Sequence, residues 1–154
     1  MVESGSPTTM TYFEDTGDSI PLPFQRVIQF LDSAEHGGAH AGDVRNFKVV
    51  KTVGLTTTLS FERLRDGKWT PAVSRLTVFP PFCYCVEELK GTFAGSRFVG
   101  IHRPAGKRTR VDLFGDVRSK VYPPAKAKRL LLRTLAKAHR EDLAAIRAWR
   151  KRHS

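Results

Sequence analysis

The chain has 154 residues, of which 40% are hydrophobic and 27% charged, a composition typical of a folded globular protein and unlike that of disordered or fibrous chains. It has no run of about 18 apolar residues, which excludes a transmembrane helix. The N-terminus lacks the basic and apolar regions of a signal peptide, so we expect a cytoplasmic protein. Two cysteines alone form neither a disulfide framework nor a zinc site.

The net charge of +11 favours anionic partners, but the positive charge is unevenly distributed. From Pro123 onward the sequence has 10 lysines and arginines against 2 acidic residues. The rest of the chain is close to balanced. The excess charge therefore belongs to a C-terminal segment and not to the whole domain.

The N-terminal part of the sequence predicts one strand and one or two short helices. Residues 1–9 are small and polar, which predicts a disordered N-terminus before a single domain over 10–152. A short first strand is expected over 10–14, followed by a turn rich in Asp, Gly and Ser. The apolar residues of 24–32 are spaced for one helical face, and 33–42 is predicted to be a turn or a second short helix.

From Val44 the hydrophobic pattern changes to a period of two, which predicts a series of strands. Tight turns separate them, and the Asp66-Gly67 pair is typical of a hairpin. Antiparallel meanders of this kind bury one face and leave the other in water. The six predicted strands span residues 44–53, 55–62, 69–79, 82–90, 96–102 and 108–117.

A long amphipathic helix is predicted after Pro123-Pro124, because residues 125–150 contain no glycine or proline and are rich in alanine, leucine, lysine and arginine. At about 1.5 Å per residue this helix is roughly 40 Å long. One face is apolar and the opposite face is basic, so the helix needs a broad apolar surface to pack on. Asp142 and His139 interrupt the apolar face.

Three short segments indicate a known family. They are residues 20–32 (IPLPFQRVIQFLD), 91–96 (GTFAGS) and 104–111 (PAGKRTRV), and the long closing helix completes the set. Together with the order β-α-α-β6-α, they resemble the START/SRPBCC superfamily, which includes polyketide cyclase/dehydrase-like and lipid-transfer proteins. The resemblance implies an α+β helix-grip fold, in which a curved antiparallel sheet of about seven strands wraps around a long C-terminal helix.

Members of that superfamily grip a hydrophobic ligand between sheet and helix. The resemblance therefore implies a cavity, a lipid or polyketide-like small molecule as partner, and no cofactor, with a carrier or binding protein favoured over an enzyme. The alternative is that the same apolar side chains fill a solid core. The candidate lining residues are Leu59, Phe61, Leu76, Val111 and Leu113 on the sheet and Leu131, Leu135, Ala138, His139 and Asp142 on the helix.

His139 and Asp142 are the candidate catalytic residues, because residues three apart are neighbours on a helix surface. They can hydrogen-bond the polar end of a ligand or act on it as acid and base, and an aromatase/cyclase acting on a polyketide-like substrate is the alternative function. A structural role stays open, since the helix can overhang the sheet or Arg75 can pair with Asp142. Strand register decides whether Arg75, Glu87 and His102 face inward.

His36 and His40 are the weak candidates for a metal site, being spaced i, i+4 and accompanied by Glu35 or Asp32. The intervening Gly37-Gly38 pair disfavours a regular helix, and no third ligand stands at an informative spacing. We therefore predict no metal site. Two exposed loop histidines are expected instead, at the mouth of the cavity, where they can gate the entry of a ligand.

The basic face of the C-terminal helix offers a second alternative function, the binding of an anionic partner. Such a charge run is typical of a solvated face, but contact with an anionic membrane surface or an acidic protein stays open. Nucleic acid is disfavoured, because no aromatic side chains are interleaved to stack on bases. The oligomeric state is left open. The basic face comprises Lys126, Arg133, Lys137 and Arg140.

Overall fold

The computed structural model describes residues 10–153, and the predicted disordered segment 1–9 lies outside the described residues. The chain forms strand β1 (Thr11–Ile20), helices α1 (Phe24–Leu31) and α2 (Ala34–Gly38), a 3-10 turn (Ala41–Asp43), strands β2 (Val44–Val53), β3 (Thr56–Arg65), β4 (Lys68–Phe79), β5 (Cys83–Lys90), β6 (Arg97–Ala105) and β7 (Arg108–Val117), and helix α3 (Pro124–Arg152). The predicted order of elements is confirmed.

The strands form one antiparallel sheet in the order β1-β7-β6-β5-β4-β3-β2. Strands β2 to β7 follow one another as neighbours, and β1 lies at the edge beside β7. β1 is longer than predicted, because the segment expected to be a turn is a bulge between Asp15 and Asp18, where Gly17 has a φ of 105°. Glycine adopts a positive φ without strain, so the strand absorbs the irregularity and continues.

The strand register shows which side chains share the face that packs on α3. Directly paired residues point to the same side of a sheet, and one such row runs through Leu76, Val86, Phe98, Gly115 and Phe13. We call this side the inner face. Stepping along the strands two residues at a time from this row places every sheet residue predicted to line a cavity on the inner face, namely Leu59, Phe61, Leu76, Val111 and Leu113.

One half of the inner face is a solid core. Trp149 of α3 is 1% exposed and meets Phe30 of α1 edge-on, with ring centroids 6.1 Å apart. Strands β1, β6 and β7 contribute the opposing apolar side chains. The buried cluster includes Phe13, Ile20, Leu22, Val27, Phe98, Val111, Leu113, Val117, Leu131 and Ile146.

Helix α3 has 29 residues and begins at Pro124. The first N–H groups of a helix have no partner within the helix, so a proline, which has no N–H, leaves no helical hydrogen bond unmade at this position. The helix is buried near its two ends, while Leu135 and Ala138 in its middle are only half-buried. No helix within residues 10–153 combines the length and apolar character needed to cross a membrane. The buried positions of α3 are Ala127, Leu131, Ala145, Ile146 and Trp149.

Candidate functional site

The inner face is less completely buried on β3 to β5 than on β6 and β7. Leu59, Leu76 and Val86 belong to the inner face and yet are only half-buried, whereas Val111 and Leu113 are buried in the core. The reason is that α3 packs chiefly on α2, β1 and β7. The inner face around Leu59 and Leu76 therefore lacks the close cover that a packed helix gives, although Phe61 on β3 is buried and Val86 packs against the core. We call the space over this part of the inner face the cleft.

A polar cluster lies where α2 packs on the middle of α3. Ser33 caps α2, and its Oγ accepts the backbone N–H of His36 at 3.2 Å. Nε2 of His40 lies 3.2 Å from Oδ1 of Asp142, and Nε2 of His36 lies 3.7 Å from the same oxygen. We call these three residues, His36, His40 and Asp142, the His–Asp cluster. The structure thus adds to the two predicted histidines a third group from the distant end of the chain.

The second ring nitrogens of both histidines are also engaged. Nδ1 of His36 lies 3.0 Å from the carbonyl oxygen of Leu31, and Nδ1 of His40 lies 3.3 Å from Oε1 of Glu141. The contact with Asp142 raises the pKa of His40 above its ordinary value, with Glu141 adding to the effect and burial opposing it. Both rings are therefore fixed in orientation by groups outside the cluster.

Two further polar side chains of the inner face lie near this cluster. Burial raises the pKa of Tyr84, and the charge of Asp142 raises it further, so this hydroxyl stays protonated. Burial lowers the pKa of His102, whose Nδ1 lies 2.7 Å from the carbonyl oxygen of Pro81. The rings of Tyr84 and His102 are 6.0 Å apart. This end of the cleft therefore offers a neutral hydroxyl and an imidazole that burial keeps neutral.

The opposite end of the inner face carries ionisable groups that were not predicted from the sequence. Ser74 donates a hydrogen bond of 2.8 Å to Glu88, and burial raises the pKa of that carboxyl group. The guanidinium of Arg65 lies 4.6 Å from the ring centre of Phe93. The available signal was the alternation of β3, because Arg63 and Arg65 continue the phase of Phe61.

The register also decides where three other residues point. His102 belongs to the inner face, whereas Arg75 and Glu87 are paired on the outer face with an N–O distance of 2.9 Å. Arg75 is therefore not the partner of Asp142. His139 faces β1, where its charge acts on Asp15 and opposes the rise in the pKa of Asp15 that burial and Asp18 cause.

The basic face of α3 is partly engaged within the chain. Nζ of Lys126 lies 4.8 Å from the ring centre of Tyr122, and Lys137 forms an ion pair with Asp43 beside β2. Arg133 and Arg140 are exposed. Of the predicted solvated basic face, the two lysines thus contact other residues of the chain, and the two arginines are exposed to solvent.

Several solved structures share the fold of this chain, although comparison of sequences finds no relative. No protein-family model matches the chain, and no curated protein is significantly similar to it in sequence. A START superfamily protein from Mycobacterium smegmatis has a TM-score of 0.71 at 12% identity, over 91% of this chain and 98% of that one. The Zhui aromatase/cyclase from Streptomyces sp. R1128 has a TM-score of 0.68 at 14% identity, over 94% and 95%.

A third solved structure, that of Ara h 8.0201, has a TM-score of 0.70 at 12% identity, over 91% of this chain and 99% of that one. Identities this low establish the fold alone. The chain therefore has the helix-grip fold of the START/SRPBCC superfamily, as the sequence resemblance implied, with near-complete coverage of each chain. One of the solved structures that share this fold is that of an aromatase/cyclase.

Proposed function

We propose that this protein binds a hydrophobic small molecule, a lipid or a polyketide-like compound, in the cleft, and that it acts as a cytoplasmic carrier or binding protein rather than as an enzyme. The main support is that Leu59, Leu76 and Val86 point inward without being buried. Apolar surface in this state gains about 25 cal/mol for each Å² that a ligand removes from water. A bound apolar molecule completes the burial that α3 leaves unfinished.

The polar groups at the two ends of the cleft favour a ligand with polar termini. Tyr84 and His102 offer uncharged hydrogen-bonding groups at one end. Arg65 and Glu88 offer ionisable groups at the other end. Pockets of this kind use apolar walls for affinity and a few polar groups for orientation. The proposed ligand therefore has an apolar body with an oxygen-bearing group at one or both ends.

Binding can be measured with N-phenyl-1-naphthylamine, a neutral apolar dye that fluoresces when it leaves water. A neutral dye avoids attraction to the basic face of α3. The variant Leu76→Trp fills the cleft and is expected to weaken dye binding at least about tenfold, equivalent to 1.4 kcal/mol. Val73→Trp is the matched control, because Val73 lies on the outer face of the same strand. It is expected to leave the dissociation constant unchanged within about twofold.

Equal dye binding by both tryptophan variants would show that the dye does not enter the cleft, and the proposal would then be wrong. Native mass spectrometry of the gently purified protein gives a second measurement. A mass increment that is present in the wild type and Val73→Trp but lost in Leu76→Trp is the expected result. The melting temperature of each variant shows whether the fold is intact.

An aromatase/cyclase-type enzyme is the alternative function, and the polar wall near Asp142 favours it. In this proposal Asp142 and Tyr84 act on a polyketide-like substrate as base and acid, while His139 faces β1 and takes no part. Asp142→Asn is then expected to abolish ring closure of a poly-β-ketone substrate, followed by the absorbance of the aromatic product. Dye binding is expected to persist, and loss of dye binding as well would contradict a purely chemical role.

Contact with an anionic membrane is the second alternative, and the exposed arginines of α3 favour it. Arg133 and Arg140 are exposed and belong to the basic face of α3, opposite its apolar face. The proposal predicts sedimentation with vesicles of phosphatidylserine and phosphatidylcholine that decreases as salt rises, because each basic residue near such a surface contributes about 1 kcal/mol. Arg133→Glu combined with Arg140→Glu is expected to abolish it, and salt-independent sedimentation would contradict it.

A further inference from the structure

The His–Asp cluster has the composition and geometry of a metal site. Two imidazole nitrogens and one carboxylate oxygen are a donor set that zinc and related divalent metals favour. One donor atom from each of His36, His40 and Asp142 can be chosen so that all three lie within 4.8 Å of one another. Ligands at about 2.0–2.2 Å from a tetrahedral ion lie roughly 3.3 Å apart. The Nε2–Oδ1 distances of 3.2 Å and 3.7 Å are close to this separation.

The surrounding hydrogen bonds determine which histidine nitrogen is free to bind. The carbonyl oxygen of Leu31 only accepts hydrogen bonds, so Nδ1 of His36 carries the proton. The carboxylate of Glu141 makes the same demand on Nδ1 of His40. When each imidazole is neutral with its proton on Nδ1, Nε2 holds a lone pair on the side of Asp142. Histidines that bind metals are held in the same way, with the other N–H donated to a carbonyl or carboxylate oxygen.

Asp142 provides a second, independent observation. Its Oδ1 is buried and accepts no hydrogen bond of normal geometry from any residue within 10–153, although two Nε2 atoms are near. A buried carboxylate oxygen in this state is costly. A cation between Oδ1 and the two Nε2 atoms satisfies all three atoms at once. The competing arrangement is a proton on Nε2 of His40 that pairs with Oδ1 of Asp142. Metal binding distinguishes the cation from the proton.

We propose that His36, His40 and Asp142 bind one divalent transition-metal ion, such as Zn²⁺, at the contact between α2 and α3 beside the cleft. Three protein ligands leave a fourth position for water or for a polar group of a molecule in the cleft. The ion also ties the short helix α2 to α3. This site does not depend on the proposed hydrophobic ligand, because every protein donor belongs to the chain itself.

Isothermal titration calorimetry of the chelator-treated protein with Zn²⁺ tests the site. One Zn²⁺ per chain is expected, with no binding of Mg²⁺, which prefers oxygen ligands. His40→Ala and Asp142→Asn are expected to weaken Zn²⁺ binding more than about 100-fold, because loss of an outer-shell partner alone typically costs 10–100-fold. His139→Ala is the matched control, since His139 lies one turn from Asp142 but faces β1. Its affinity for Zn²⁺ is expected to be that of the wild type.

The visible spectrum of the wild-type Co²⁺ complex gives a readout that needs no variant. An intense absorption band of a four- or five-coordinate Co²⁺ ion is expected, and the weak band of fully hydrated Co²⁺ would overturn the proposal. So would equal Zn²⁺ affinity in all the variants, or no Zn²⁺ binding by the wild type. Circular dichroism of each variant separates loss of the site from loss of the fold. Glu141→Gln, which changes the group in contact with Nδ1 of His40, is expected to weaken binding about 10–100-fold.

Discussion

Asp112 is a carboxylate on the outer face of β7 that is only 3% exposed. It forms ion pairs with Arg103 and, at 3.4 Å, with Arg110, and it accepts the backbone N–H of Gly17 in the bulge of β1. Burial alone would raise its pKa, but these partners hold the pKa below its ordinary value. Asp112 therefore joins the bulge of β1 to β7 through its charged form.

Asp112→Asn is expected to lower the free energy of unfolding at pH 7 by about 2 kcal/mol, because hydrogen bonds to charged groups contribute roughly 1.5–3 kcal/mol each. A lowered pKa means that the folded state favours the carboxylate, so this stability is present above the unfolded-state pKa of about 3.9 and is lost as the pH falls through the folded-state pKa. Urea unfolding at pH 7 and pH 3 should show the difference between variant and wild type shrinking at the lower pH. A constant difference would show that charge plays no part.

Asp116→Asn is the matched control for this experiment. Asp116 lies on the same strand and the same face, four residues further on, but is only half-buried. Its substitution is expected to change the free energy of unfolding by less than about 0.5 kcal/mol. The contrast between the two positions isolates the buried charge from any general effect of removing an aspartate.

For single residues, the sequence predicts the face of the sheet on which a side chain lies better than it predicts which residues that side chain contacts. The alternation of strands placed Leu59, Phe61 and Val111 on one face, because side-chain direction is a local property. The partners of Asp142 could not be predicted in this way. They depend on the docking of α2 against α3, which brings together residues about a hundred positions apart and leaves no trace in local spacing.

The last two turns of helix α3 attach it firmly to the domain. Trp149 is 1% exposed, meets Phe30 edge-on, and lies under the guanidinium of Arg26, 4.7 Å from the ring centre. Its stacked contact with His153 and the ion pair between Arg152 and Glu35 continue this attachment to the end of the helix. The far end of α3 is therefore anchored while its middle is left over the cleft.

Trp149→Ala is expected to lower the free energy of unfolding by about 3–5 kcal/mol, the usual cost of removing a large aromatic side chain from a core. Urea unfolding followed by circular dichroism measures the change. Arg147→Ala, on the exposed side of the same turn, is the control and should stay within about 0.5 kcal/mol of the wild type. Equal losses in the two variants would mean that the end of α3 is held by its charges and not by its apolar face.

Helices and strands were predictable where one hydrophobic period dominated the sequence. They were less predictable where residues typical of a turn lay within a strand. The extent of α3 followed from a long stretch without glycine or proline and from its proline start. β1 was predicted too short, because Asp15, Gly17 and Asp18 are typical of a turn, whereas pairing with β7 holds them in the sheet as a bulge. Pairing with β7 thus overrides the local preference of these residues for a turn, and the local sequence shows only that preference.

At the scale of the molecule, the long helix α3 packs closely on one half of the curved sheet and less closely on the other half. The half built from β1, β6 and β7 forms the solid core with α1 and the ends of α3. In the half built from β3 to β5, Leu59, Leu76 and Val86 point inward and are only half-buried, whereas Phe61 is buried. The solid core, which the sequence offered as the alternative to a cavity, describes the first half, and a ligand cavity over the second half stays a proposal. The stability of the fold can thus reside in one half and ligand binding in the other.

This division predicts that a ligand stabilises the protein without being needed for folding. N-phenyl-1-naphthylamine at about 100 times its dissociation constant is expected to add roughly 2.7 kcal/mol to the free energy of unfolding, since it binds only the folded state. For a domain of this size that corresponds to a rise of about 5–10 °C in the melting temperature, measured by circular dichroism.

The variant Leu76→Trp is expected to melt cooperatively without the dye and to gain no stability from it, because Leu76 belongs to the cleft and not to the core. Val73→Trp is expected to gain the same increment as the wild type. If Leu76→Trp instead unfolds at a much lower temperature than Val73→Trp, then β4 contributes to a common core. Stability and binding would in that case share the same side chains, and the cleft would be a defect of packing rather than a separate site.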